Sequence, residues 1–164
     1  MHAKIKRDYV TGVPLRTITE NELEMYRRHP SMRGSGVPTG LTISESTTPK
    51  RTIALNTGKP LKNLKVALRH ERGHILYPPT KSLHYEELVK MKADSLYGEL
   101  LANYYTLTLK PGDPYIVEDI RGLKRNVRIN GPKLGMSVTE VLKLFRTLSE
   151  AAAREVEYKG KLVS

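Results

Sequence analysis

Residues 70–74 read His-Glu-Arg-Gly-His, and this pentapeptide restricts the chain more than any other stretch. Two imidazoles four residues apart reach one ion only on an α-helix, where residues i and i+4 project from the same face. The flanks agree. Leu64, Leu68 and Ile75 recur at helical spacing between Pro60 and Pro78-Pro79, so the spacing predicts a helix over residues 61–77. The carboxylate next to the first histidine would lie beside the ion, placed to take a proton from a bound water. His70 and His74 are therefore candidate metal ligands and Glu71 a candidate general base. A chain of this composition shows the pattern by chance in roughly one sequence in a hundred.

A catalytic zinc site usually has three protein ligands and one open position. His84, Glu86, Glu87, Asp94 and Glu99 follow the motif. One long helix is expected from about Ser82 to Leu109, ended by Pro111-Gly112. Glu99 lies near its middle, far enough on for the chain to turn at Pro78-Pro79 and run back past the metal. His84 is the rival third ligand. On one unbroken helix the two positions are about 22 Å apart, so they cannot share one ion, and Glu99 is preferred. Asn103, one turn after Glu99 on the same face, is placed to hydrogen-bond a ligand imidazole and fix its tautomer.

The 164 residues include no cysteine. Disulfides, thiolate metal sites and cysteine nucleophiles are thereby excluded. His, Asp and Glu remain to hold a transition metal, and two histidines with one carboxylate suit a single Zn2+. The length fits one domain over residues 1–164, with the motif region at 38–111 and a loosely attached segment at 1–37. The first residues have no apolar stretch behind their charges, and no window approaches the ~18 apolar residues of a membrane helix. A cytoplasmic protein with no membrane partner is expected. Lys and Arg outnumber Asp and Glu by 28 to 17, a formal charge of +11, which raises an acidic partner or nucleic acid as a second expectation.

Around the motif, Leu41–Ser46 and Arg51–Asn56 alternate apolar and polar residues across Thr47–Lys50, the pattern of a hairpin. Its edge would suit an extended substrate bound by strand addition, at positions such as Ile43 or Ile53. Residues 29–40, with three Gly and two Pro, read as a loop. Residues 113–136 read as irregular and basic, with a short helix near Ile116–Leu123. Ser137-Val-Thr-Glu140 is a capping-box pattern. After it, Val141, Leu142, Leu144, Phe145, Leu148, Ala152 and Val156 form an apolar stripe to about Glu157. The fold expected is α+β: a small antiparallel sheet packed against the HExxH helix and the long following helix, with C-terminal helices completing the core.

His70-Glu-Arg-Gly-His74, then Glu99-Leu-Leu-Ala-Asn103-Tyr-Tyr, resembles the ImmA/IrrE-type metallopeptidases. That family shows HExxH followed by a helix carrying Glu-x-x-Ala-Asn-x-Phe-Ala. The likeness covers about residues 38–111. Arg72 stands where the family usually has an apolar residue, and Tyr105-Thr106 replaces Phe-Ala, so the match is to a divergent member. The resemblance implies one zinc ion, a gluzincin-like site with Glu99 as third ligand, and cleavage of a protein partner. In that family the partner is often a transcriptional repressor.

Other readings stand beside this one. A basic nucleic-acid-binding regulator, its metal site structural or degenerate, would rest on the net charge and on residues 121–148, where Arg121-Gly-Leu-Lys-Arg-Asn-Val-Arg leads into the capped helix. A SprT-like protease would use His84. A module that binds metal and cleaves nothing has no use for Glu71. Tyr77, Tyr85, Tyr97, Tyr104, Tyr105 and His84 are all candidates to stabilise an oxyanion, and the sequence assigns that role to none of them.

Overall fold

The computed structural model describes residues 5–28, 39–44 and 51–163. The chain divides into two compact units, Met1–Leu76 and Tyr77–Ser164. The whole is mostly helical with one small sheet, an α+β composition.

The first unit contains β1 (Leu15–Thr17), α1 (Glu20–Arg28), β2 (Gly40–Ser44), β3 (Arg51–Leu55) and α2 (Leu61–Leu76). The expected hairpin forms: β2 and β3 pair antiparallel, with Leu41 opposite Ala54 and Thr42 opposite Ile53. The sheet as a whole is not antiparallel, however. Its order is β1-β3-β2, and β1 joins β3 in parallel, with Leu15 opposite Ile53. The long connection through α1 and β2 lets the chain return in the same direction, as a parallel pair requires. β3 is therefore central, and its Ile53 and Ala54 are fully buried. Ile53 is thus not an edge position, whereas β2 pairs only with β3 among the described residues. The turn expected at 47–50 and the loop residues 29–38 lie outside the described residues.

Local chemistry fixes the ends of these elements. Thr19 and Glu22 cap α1 reciprocally: the Thr19 N–H donates to Glu22 Oε2 at 2.9 Å, and the Glu22 N–H donates to Thr19 Oγ1 at 3.3 Å. Arg16 in β1 grips both oxygens of the same carboxylate at 2.8 and 2.5 Å. Those bonds pull the Glu22 carboxyl down to about 2. Helix α2 packs on β2 and β3, and its buried residues are Val66, Ala67, Glu71, Arg72 and Gly73. A Cβ on Gly40 would stand 3.2 Å from Ala67 Cβ and 3.3 Å from Glu71 Cγ. Glycine there lets β2 lie against α2 at the level of Glu71.

The second unit holds a 3-10 turn (Pro79–Lys81), α3 (Tyr85–Lys90), α4 (Asp94–Leu109), α5 (Pro114–Asn130), a second 3-10 turn (Gly131–Leu134) and α6 (Val138–Val163). The single helix expected over 82–109 is broken at 91–93. Lys92 takes a left-handed φ of 54°, and the Ala93 N–H turns back to the Leu88 carbonyl. A left-handed residue closes α3 as glycine usually would, and the buried Ala93 starts α4. The segment expected to be irregular is the long helix α5. Asp113 caps it, accepting from the Tyr115 and Ile116 N–H groups at 3.0 and 3.5 Å, and Pro114 occupies the first turn. The predicted cap of α6 is present, with Ser137 N–H to Glu140 Oε2 at 2.6 Å and Glu140 N–H to Ser137 Oγ at 3.2 Å.

Leu88, Ala93, Tyr97, Leu100, Leu101, Phe145, Leu148, Ala152 and Val156 form the core of this unit, which joins α3, α4 and α6. Five of the seven stripe positions expected on α6 are buried, and Leu142 and Leu144 are half-buried. Gly131 packs under the start of α6: a Cβ there would fall 1.9 Å from Val141 Cγ1. Gly131→Ala should therefore cost about 1–3 kcal/mol by overpacking, lowering Tm by about 3–10 °C in a chain of this size. A melt unchanged from wild type would show that Val141 moves aside freely.

Candidate metal centre

α2 brings His70 and His74 to one face. Their Nε2 atoms are 3.0 Å apart, and the rings meet edge to face with centroids 4.7 Å apart. Two nitrogens at 2.0–2.1 Å from a tetrahedral ion would stand roughly 3.3 Å apart, so the imidazoles are nearly in ligand position. One atom each from His70, His74 and Glu99 lies within 4.8 Å of the others, a group that could hold a metal ion. The donor set is two imidazole nitrogens and one carboxylate oxygen, without thiolate, and it fits zinc chemistry. His84 does not belong to this group. It is exposed at the start of α3, with Nδ1 3.9 Å from Glu87 Oε2.

Glu71 is 5% exposed, which is unusual for a carboxylate and calls for a partner. Thr42 of β2 supplies it, its Oγ1 donating to Glu71 Oε2 at 2.5 Å. That bond occupies one oxygen, and Oε1 makes no hydrogen bond among the described residues. The sequence alone does not single out Thr42. Its signal is the alternation of β2, which puts Gly40 and Thr42 on one face of the strand. The Arg51 Nη1 of β3 donates to the His74 carbonyl at 3.1 Å, satisfying one of the orphan carbonyls of the last turn of α2.

Arg72, the residue that departs from the family pattern, is also buried. Its Nε and Nη2 donate to Asp8 Oδ1 at 2.9 and 2.5 Å. Its guanidinium lies 4.8 Å from the centroid of the Tyr9 ring. Asp8 Oδ2 in turn accepts from the Thr11 N–H and Oγ1 at 3.0 and 2.7 Å. An ion pair in the helix turn between the histidines thus ties down the chain around Asp8.

In α4, Asn103 is fully buried. Its Nδ2 donates to Asp119 Oδ2 of α5 at 2.8 Å, and its Oδ1 has no partner among the described residues. Of the tyrosines considered for an oxyanion, Tyr97 donates its hydroxyl to Glu155, and burial raises its pKa. Tyr77 packs against Tyr105 at 5.4 Å between centroids. In residues 121–148, the apolar side of α6 faces the core through Val141, Phe145 and Leu148. Arg121, Lys124, Arg125 and Arg128 are exposed on α5.

No family model matches this chain, and no curated protein and no solved structure matches it. Among the described residues no helix is long and apolar enough to cross a membrane.

Thr42→Val should destabilise the protein by about 1.5–3 kcal/mol, the worth of a hydrogen bond to a charged group. Thr42→Ser, which keeps the hydroxyl, should recover most of the loss. Equal urea midpoints for the valine and serine variants would show that the hydroxyl does not matter.

Proposed function

We propose that this chain is a cytoplasmic zinc-dependent metallopeptidase that hydrolyses peptide bonds of a protein partner. The reading makes it a divergent, gluzincin-like relative of the ImmA/IrrE type. The observation that carries it is the His70–His74–Glu99 group together with a buried carboxylate, Glu71, in the same helical turn. A zinc ion held by those three side chains would polarise the scissile carbonyl and lower the pKa of a bound water. Glu71 takes the proton of the attacking water at Oε1 and passes it to the departing amine. Thr42 holds Oε2 so that the carboxylate keeps one orientation. The Oδ1 of Asn103 is the proposed acceptor for a ligand imidazole N–H, which would fix that ring's tautomer. The outer edge of β2, next to Thr42, is the proposed place for an extended substrate strand. By family resemblance, the partner expected is a transcriptional regulator.

Metal analysis of the purified protein tests this reading first. Wild type and His84→Ala should carry close to one zinc per chain, and Glu99→Ala should lose most of it. Loss with His84→Ala alone would move the site to a three-histidine arrangement. Absence of metal from every form after reconstitution would reduce the HExxH pattern to coincidence.

A further inference from the structure

A groove of about 570 Å3 opens among α4, α5 and α6, wholly within the second unit and separate from the metal ligands. That volume is in the range of small-molecule sites. Tyr104, Ile120, Leu142 and Phe145 give it an apolar lining. Lys124 from α5 and Lys143 and Arg146 from α6 also line it. The one carboxylate on its wall, Glu150, is already engaged by Arg146 Nε at 3.0 Å. Lys124 and Lys143 have no acidic partner among the described residues. The surrounding stretch, residues 121–146, holds seven basic residues against the single acid Glu140. Ser149 lines the groove as well, 9% exposed, and its hydroxyl makes no hydrogen bond among the described residues.

These features ask for a molecule with an apolar body and one anionic end. Apolar lining alone would suit a neutral ligand, but two unpaired ammonium groups beside it favour a negative charge. A polyanion would fit the cations but not the aromatic and aliphatic surface. An extended acidic peptide would set further carboxylates against Glu150. We infer that the groove is a binding site for a small amphipathic carboxylate of the medium-chain fatty acid class. Its tail lies along Tyr104, Ile120, Leu142 and Phe145, and its carboxylate faces Lys124 and Lys143.

Titration of the full chain with dodecanoate, below micelle formation, tests the assignment by calorimetry and amide NMR. Saturable one-to-one binding is expected, with resonance shifts centred on Ile120, Leu142, Ser149 and Ala153. The double substitution Lys124→Glu/Lys143→Glu should weaken it about tenfold, since two exposed ion pairs are lost, without lowering Tm. Ala153→Trp, which fills the groove, should abolish it. Dodecanol, with the same chain and no charge, should bind about tenfold more weakly. The inference is overturned if dodecanoate does not saturate, if dodecanol binds equally well, or if the lysine variant binds like wild type. Saturable binding of a glutamate-rich amphipathic peptide in place of dodecanoate would assign the groove to a protein partner and overturn it too.

Discussion

Glu71→Gln should lower kcat/KM for peptide hydrolysis by about 10²–10⁴-fold, the usual contribution of a positioned general base, while zinc content stays at the wild-type level. The substitution is nearly isosteric, and at a position 5% exposed this matters. The amide oxygen can still accept the Thr42 Oγ1 bond now made to Oε2, so β2 and α2 keep their contact. What is lost is the open carboxylate oxygen, because an amide nitrogen donates and cannot take up a proton. His70 and His74 are untouched, so metal binding and catalysis should separate. Hydrolysis of a peptide library and metal analysis on the same preparation make the check. A Gln variant that cleaves at the wild-type rate would exclude Glu71 as the base. A variant that has lost its zinc would show instead that Glu71 holds the site together.

The second large effect concerns stability. Arg72→Met should destabilise the protein by about 3–5 kcal/mol, the cost of leaving one member of a buried ion pair without its partner. Asp8 is almost wholly enclosed, with its side chain 1% exposed against 10% for Arg72, and among the described residues its carboxylate has no other cation in the bonds that hold it. Removing both charges, as in Asp8→Leu/Arg72→Met, should restore much of the loss, because no unpaired charge remains buried. Urea unfolding of the two single variants and the double variant measures this. Additive losses would show that the pair is not coupled.

The same pair sets a pH dependence. Burial pushes the Asp8 carboxyl upward, but the bonds from Arg72 and Thr11 outweigh it and hold the group below its ordinary 3.8. A carboxyl depressed in the folded state contributes stability that is fully present above the unfolded value and is lost as pH falls through the folded one. Wild type should therefore weaken as pH falls below about 4. Asp8→Asn should remove this part of the acid sensitivity.

Arg72 also marks the limit of what can be read along the chain. From the sequence it is only a departure from a family pattern, since nothing near residue 72 announces an acid 64 positions away. Thr42, 29 residues before Glu71, is hidden for the same reason. The break at Met91–Ala93 is not legible either, because Lys92 stands where glycine would normally mark a left-handed turn. Helix α5 was within reach through Asp113-Pro114 and the recurrence of Ile116, Ile120, Leu123 and Val127, but its basic residues and Gly122 dilute the apolar period.

What the sequence alone determined is local. The helix that sets His70 and His74 four residues apart, the capping box of α6 and the β2–β3 hairpin follow from periodicity and end chemistry over a few turns. The preference for Glu99 over His84 rests on one unbroken helix over 82–109, and the break at 91–93 removes that ground. Only the tertiary structure decided the parallel addition of β1, the burial of Glu71 beneath Thr42 and the enclosure of Arg72 with Asp8. Each depends on groups distant in the chain, brought together because a buried polar group must find its partner wherever the packing places one.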